Sequence, residues 1–250
     1  LKVLQLKFGY PVDIEFASDG KYFYLLQCRP QSYGKSSKPT PIPRALKETA
    51  IVLFSARKYV SNGLSPNISH IVYVDPLQYS EIENKERLLD VGRAVSKLNA
   101  LLPKRRFILM GPGRWGSRGD IKLGVSVTYS AISNTAMLIE IARKRGNYVP
   151  DLSFGTHFFQ DLVESEIRYL PLYPDDEGIL FNESFFQNAA NLLPEIIPEY
   201  SHLVKVLKVI DVAQNMKGMV LHVLMNGELD EAVGILAPPI NNIEELTGST

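Results

Sequence analysis

The chain has one cysteine, Cys28, one tryptophan, Trp115, and four histidines in 250 residues. With a single thiol no internal disulfide can form, and a reducing, cytoplasmic compartment is the simplest expectation. Charge of one sign is not in excess. Lys+Arg and Asp+Glu both count 27, so the basic surplus of a nucleic-acid footprint is missing. There is no apolar run of about 18 residues, the length a membrane-crossing helix needs, and no signal-peptide pattern. A protein without nucleic-acid or membrane partners is therefore expected. What the chain does have is apolar content, 45% of its residues, ample for one large core or two small ones. Leu1 opens directly into strand-like sequence, and the simplest reading is a piece of a longer protein.

Residues 10–17 and 21–28 read as two strands around Ser18-Asp19-Gly20, a hairpin turn signal. A three-residue loop with Gly20 left-handed would put Val12, Ile14, Phe16, Tyr22, Tyr24, Leu26 and Cys28 on one face. The same register places Glu15, Gln27 and Arg29 together on the other. Residues 30–43 are rich in Pro, Ser, Gly and Lys and read as an extended linker. A second domain begins near Arg44.

In that domain 51–55, 70–74, 107–110, 125–129, 167–172, 204–212, 219–225 and 228–236 read as strands, with Asn226-Gly227 turning the last pair. Helices are expected over 84–102, 133–145 and 158–164, the first ended by Pro103. Helices and strands alternate early and strands dominate late, so the class is α/β or α+β.

The segment Pro11-Val12-Asp13-Ile14-Glu15-Phe16 … Gln27-Cys28-Arg29-Pro30 resembles the end of the ATP-grasp domain in the phosphoenolpyruvate synthase and pyruvate phosphate dikinase family. The family pattern is P-x-D-I-E-aromatic followed by Q-x-R-P; Cys28 replaces its usual small hydroxyl residue. The resemblance covers residues 10–30. It implies a terminal ATP-grasp hairpin over 1–34, a linker over 35–44 and a mixed-sheet α/β domain over 45–250. It further implies a parent phosphotransferase using ATP and Mg²⁺ on a pyruvate-like small-molecule substrate. The partner of the hairpin would be the remainder of the ATP-grasp domain in the full-length chain. Glu15 and Gln27 would be metal-associated and Arg29 a phosphate contact, which agrees with the oxygen ligands Mg²⁺ prefers and the planar fork arginine offers phosphate. A hairpin alone should neither hold nor turn over ATP. A homo-oligomer, a noncatalytic regulatory module and a separate small-molecule or anion-binding domain remain open.

Two further motifs stand out. Gly111-Pro112-Gly113-Arg114-Trp115-Gly116 matches G-x-G-x-x-G but lacks the helix start a dinucleotide site requires. Its alternatives are an anion loop formed by Gly111, Gly113, Arg114, Gly116 and Arg118, or a structural loop in which Trp115 plugs the core. Gly155-Thr156-His157 loosely resembles the family's phosphohistidine stretch, with His157 as carrier at a helix start; the alternatives are a buried histidine or Thr156 as a simple N-cap. If both motifs serve one site, the 111–120 and 153–161 loops should converge on one cleft. His70, His202 and His222 read as structural, and Asp175-Asp176-Glu177 as a solvated turn.

Overall fold

The computed structural model describes residues 2–9, 12–30, 38–117, 121–144 and 150–246, without the side chains of Asp13, Arg29 and Pro30. The chain is mixed α/β and forms two units, residues 1–36 and 37–250.

The first unit holds an antiparallel hairpin of β1 (Val12–Ser18) and β2 (Phe23–Pro30), preceded in sequence by α1 (Lys2–Phe8), a helix where the opening residues were expected to be extended. Register pairs Asp13 with Arg29 and Glu15 with Gln27, then shifts, so that Phe16 faces Leu25 and Leu26 is a bulge. The turn differs from the expected three-residue loop. Residues 19–22 form it, with the Asp19 carboxylate accepting the Lys21 and Tyr22 amides at 2.9 and 2.7 Å. The longer loop and the bulge offset each other in phase. Near the turn, Phe23 and Leu25 therefore take the face assigned to Tyr22 and Tyr24, and Phe16 stacks on Phe23 at 4.8 Å.

The second unit has three layers. Its middle layer is a five-stranded sheet, built from β5 (His70–Val74), β6 (Phe107–Pro112), β7 (Met137–Ile141), β8 (Arg168–Leu172) and β9 (Leu207–Asp211) in the order β8-β7-β6-β5-β9. The first four run parallel and β9 antiparallel. An outer antiparallel sheet has the order β3 (Ile51–Ala56), β11 (Glu231–Ala237), β10 (Val220–Asn226), β4 (Gly63–Ile68).

Helices line the remaining face. α2 (Pro76–Ser80) and α3 (Lys85–Leu101) connect β5 to β6, and α4 (His157–Glu164) connects β7 to β8. Asn84 caps α3 by accepting from the Glu86 and Arg87 amides, and Leu88, Val91, Val95 and Leu98 bury one stripe of it. That stripe meets Val72, Phe107, Leu109 and Leu138 of the middle sheet. The sheet's opposite face (Ile71, Ile108, Met110, Ile139, Leu170) packs on Leu53, Leu221, Val223 and Met225 of the outer sheet. Short helices α5 (Glu183–Asn188), α6 (Leu193–Ile196) and α7 (Val212–Asn215) fill the route to β9 and β10. Among the described residues no helix is long and apolar enough to cross a membrane.

Two sequence readings fail here. The helix expected over 133–145 is absent from residues 133–144, the part the structure describes; Met137–Ile141 is a strand buried at every position, and its nearly unbroken apolar run belongs to a parallel strand covered on both faces. Residues 125–128 carry no strand, and 129–132 are a 3-10 turn. The expected linker also belongs in part to the second unit. Thr40 is buried, donating its hydroxyl to Gly63 O at 2.8 Å and its amide to Met225 O at 3.2 Å, and Ile42 and Leu46 cover the outer sheet.

Candidate functional site

Parallel strands present their carboxyl ends to one edge of the sheet, the edge where open α/β folds bind ligands. Here the segments after β6, β7 and β8 meet at that edge. The segment after β6 folds back through a bridge between Gly113 and Gly124, with the Tyr79 hydroxyl 2.8 and 2.9 Å from the Ile121 and Gly124 carbonyls. Gly113 (φ +59°) leaves no room for a side chain, since a Cβ there would lie 1.7 Å from Leu123 O.

At the centre is Glu140, on β7 and fully buried. Its Oε1 accepts the Trp115 amide at 2.8 Å and lies 2.5 Å from Ser153 Oγ. Its Oε2 accepts the Ser153 amide at 2.6 Å and the Tyr169 hydroxyl at 2.7 Å. Burial pushes its carboxyl up to about 7, against the opposing pull of these hydrogen bonds. Ser153 Oγ also reaches Trp115 O at 2.8 Å, so the segments at 113–117 and 151–156 are tied through one carboxylate. The described parts of the two motif loops thus meet, at a buried carboxylate. Glu140 itself was missed, because a helix reading of 133–145 places it on a polar face. An isolated carboxylate inside Met137-Leu138-Ile139-Glu140-Ile141 was the available signal.

The anion-loop reading of Gly111, Gly113, Arg114 and Gly116 does not hold. The amides of 113, 114, 115 and 116 donate to Ile141 O, Leu123 O, Glu140 and Val125 O. The donors such a nest needs are engaged inside the chain, three on backbone carbonyls and one on the protein's own carboxylate. Trp115 plugs the core as the structural alternative expects, with its indole N–H buried and without a partner among the described residues. Arg118 lies outside the described residues. Among the described residues no α-helix starts within or directly after the glycines, which is the element a dinucleotide site requires.

Thr156 is the N-cap of α4, accepting the Phe159 amide at 3.3 Å, and His157 is exposed in the first turn. A buried histidine is therefore ruled out. Beside it Phe154 is half exposed and tilts against Tyr59 and Phe159 at 5.2 and 5.0 Å. Tyr59 has φ +56°, an uncommon conformation for a bulky residue.

Past β7 and β8 the turn residues are paired rather than simply solvated. Asp175 accepts from Arg143 at 2.6 Å and from the Lys144 amide at 2.7 Å. Asp176 bridges Lys144 and Lys58 at 2.7 and 2.6 Å, which hold its carboxyl below the ordinary value. Arg143 also pairs with Glu183. No cluster of metal-ligating side chains is found among the described residues. His222 is structural, accepting from the Asn67 amide and contacting Pro238 O. No family model, curated protein or solved structure gives a significant match to this chain.

In the first unit, Glu15 and Gln27 are direct cross-strand partners, so their side chains leave the same face of the hairpin. The Cα atoms of Asp13 and Arg29 pair two residues further along the strands.

Proposed function

We propose that this chain carries the closing hairpin of an ATP-grasp site, followed by an α/β domain, from an ATP-dependent phosphotransferase of the dikinase type. In this reading Glu15 and Gln27 hold Mg²⁺ against the nucleotide phosphates, and Arg29 contacts the transferred phosphoryl group. The parent protein supplies the rest of the nucleotide domain and the acceptor site for a pyruvate-like substrate. The observation that carries the proposal is the register pairing Glu15 with Gln27. Two oxygen donors on adjacent strands suit a cation that keeps phosphate and water as its other ligands. Phosphoryl transfer needs that cation because charge spreads over the phosphoryl oxygens as the bond to the leaving group breaks.

His157 is the phosphoryl carrier in this proposal. Its exposure at the first turn of α4 supports the role, since the turn favours an anion. The test uses the full-length parent with γ- and β-labelled ATP. Wild type should acquire an acid-labile, base-stable label, and His157→Ala should not. Glu15→Gln should lower labelling with Mg²⁺ by about 10-fold or more while leaving the fold intact by circular dichroism. Full labelling of both variants would overturn the reading.

A second reading treats residues 37–250 as a binding domain for a small anionic molecule. The exposed Tyr59 and Phe154 beside Lys58, at the carboxyl ends of β7 and β8, favour it. Retained labelling in His157→Ala, with loss in Glu15→Gln, would support this assignment for the second unit.

A further inference from the structure

The hydrogen bonds around Glu140 can be counted proton by proton. Ser153 Oγ lies 2.5 Å from Glu140 Oε1 and 2.8 Å from Trp115 O. Both are acceptors if the carboxyl is ionised, yet a hydroxyl carries one proton. One of those two short oxygen–oxygen contacts would then hold no hydrogen. A proton on Oε1 removes the conflict. Glu140 donates to Ser153 Oγ, Ser153 donates to Trp115 O, and the Trp115 amide donates back to Oε1, closing a ring of three bonds. Oε2, then the carbonyl oxygen, accepts from the Ser153 amide and the Tyr169 hydroxyl.

We infer that Glu140 is held as a neutral carboxylic acid, and that its deprotonation opens the Ser153–Trp115 bond clasping the two loops at the strand ends. The fold thus contains a pH-sensitive latch. When the proton passes to solvent, the Ser153 hydroxyl turns to the new carboxylate, a charge-assisted and stronger bond. Trp115 O then loses its only donor among the described residues, and the direct bond between 113–117 and 151–156 opens, leaving the two segments joined through Glu140 alone.

The surroundings favour a neutral acid. No cation among the described residues pairs with the Glu140 carboxylate. Arg143 and Lys144 engage Asp175, Asp176 and Glu183 instead. On one flank β8 presents Tyr169, and Tyr173 follows just beyond it; burial raises both phenols, with Glu140 adding to the shift. On the other flank β6 sets Gly111 opposite Glu140. Burial of the carboxyl acts in the same direction. The latch is independent of the dikinase reading, since it involves neither the hairpin nor His157.

The experiment uses this chain, whose one tryptophan sits in the latch. Wild type, Glu140→Gln and Ser153→Ala are titrated from about pH 5 to 9, spanning the shifted range of a buried carboxyl. Infrared difference spectra follow the protonated carboxyl stretch, tryptophan emission follows Trp115, and hydrogen exchange follows the amides of 113–116. In wild type the acid band should persist to neutral pH and fade in step with a change in emission. Exchange at 113–116, corrected for its intrinsic base-catalysed rate, should quicken about tenfold on the alkaline side as the segment loses the bond that braces it. Glu140→Gln should lose all three transitions. Ser153→Ala should keep the infrared transition and lose the coupled change in emission. The histidines give no carboxyl band, so the wild-type infrared titration decides even if a variant fails to fold. A carboxyl ionised throughout, or emission and exchange indifferent to its titration, would overturn the latch.

Discussion

Removing the Glu140 side chain leaves the Trp115 amide, the Ser153 amide and the Tyr169 hydroxyl without acceptors in a buried site. Each such donor costs about 1–3 kcal/mol, so Glu140→Ala should lower unfolding stability by on the order of 3–5 kcal/mol in urea titration. Tyr169→Phe removes a single donor and should cost only about 1 kcal/mol. Glu140 also gives stability a pH dependence with a definite sign. Its folded carboxyl is raised from 4.5 to about 7, so the folded state binds the proton more tightly than the unfolded chain. That contribution is complete below pH 4.5, declines as pH rises to about 7 and stays lost above it. It amounts to roughly 3 kcal/mol over the window. Melting temperature measured for wild type relative to Glu140→Gln should fall across this range and level off.

At the scale of elements, the glycines of the two segments joined at Glu140 divide by what surrounds them. Gly113 and Gly155 both have positive φ, at +59° and +79°. A Cβ on Gly113 would strike Leu123 O, whereas Gly155 has nothing within 4 Å. Gly155→Ala should therefore cost about 1–2 kcal/mol from backbone conformation alone. Gly113→Ala adds a clash that only movement of the 121–125 segment relieves, and should cost roughly 3 kcal/mol or more. Thermal melts of the two variants check the ranking.

The elements also show what their sequence could reveal. α3 was legible because Leu88, Val91, Val95 and Leu98 keep helical spacing between Asn84 and Pro103. β7 was not, because five consecutive buried residues have no period. β4 went unseen because Gly63-Leu64-Ser65-Pro66 resembles a turn, yet Gly63 lets a side chain from the middle sheet pack closely on it. The Arg168 guanidinium lies over it, 2.2 Å from where a Cβ would sit, and donates to Leu64 O at 3.1 Å. In the hairpin, parity placed Glu15 with Gln27 correctly, but the bulge at Leu26 cannot be read from alternation. The convergence on Glu140 was half visible: both loops were recognisable as motifs, while their shared anchor was hidden inside a strand.

For the whole molecule, the Glu140 effect is opposed by two histidines. Burial lowers both His70 and His222, with Asp211 partly countering it for His70. A buried histidine held neutral contributes stability above pH 6.5 that is lost as pH falls through its depressed folded value. Carboxyl and histidines thus act in opposite directions across the weakly acidic range. Wild-type stability should vary less there than that of Glu140→Gln, which should lose stability steadily on acidification in pH-dependent urea titrations.

The order of the outer sheet has a consequence in time. β3 and β4 are neighbours in sequence but never pair; the β10–β11 hairpin stands between them. The contact joining Val60 to Asp230 spans 170 residues. During synthesis at ~5–20 residues per second, β3 and β4 therefore wait on the order of ten seconds or more with unsatisfied edges. Through that interval they are open to pairing with strands of neighbouring chains. A ribosome carrying this protein holds an aggregation-prone surface until the last hairpin emerges, and that interval is where a holding chaperone would matter most.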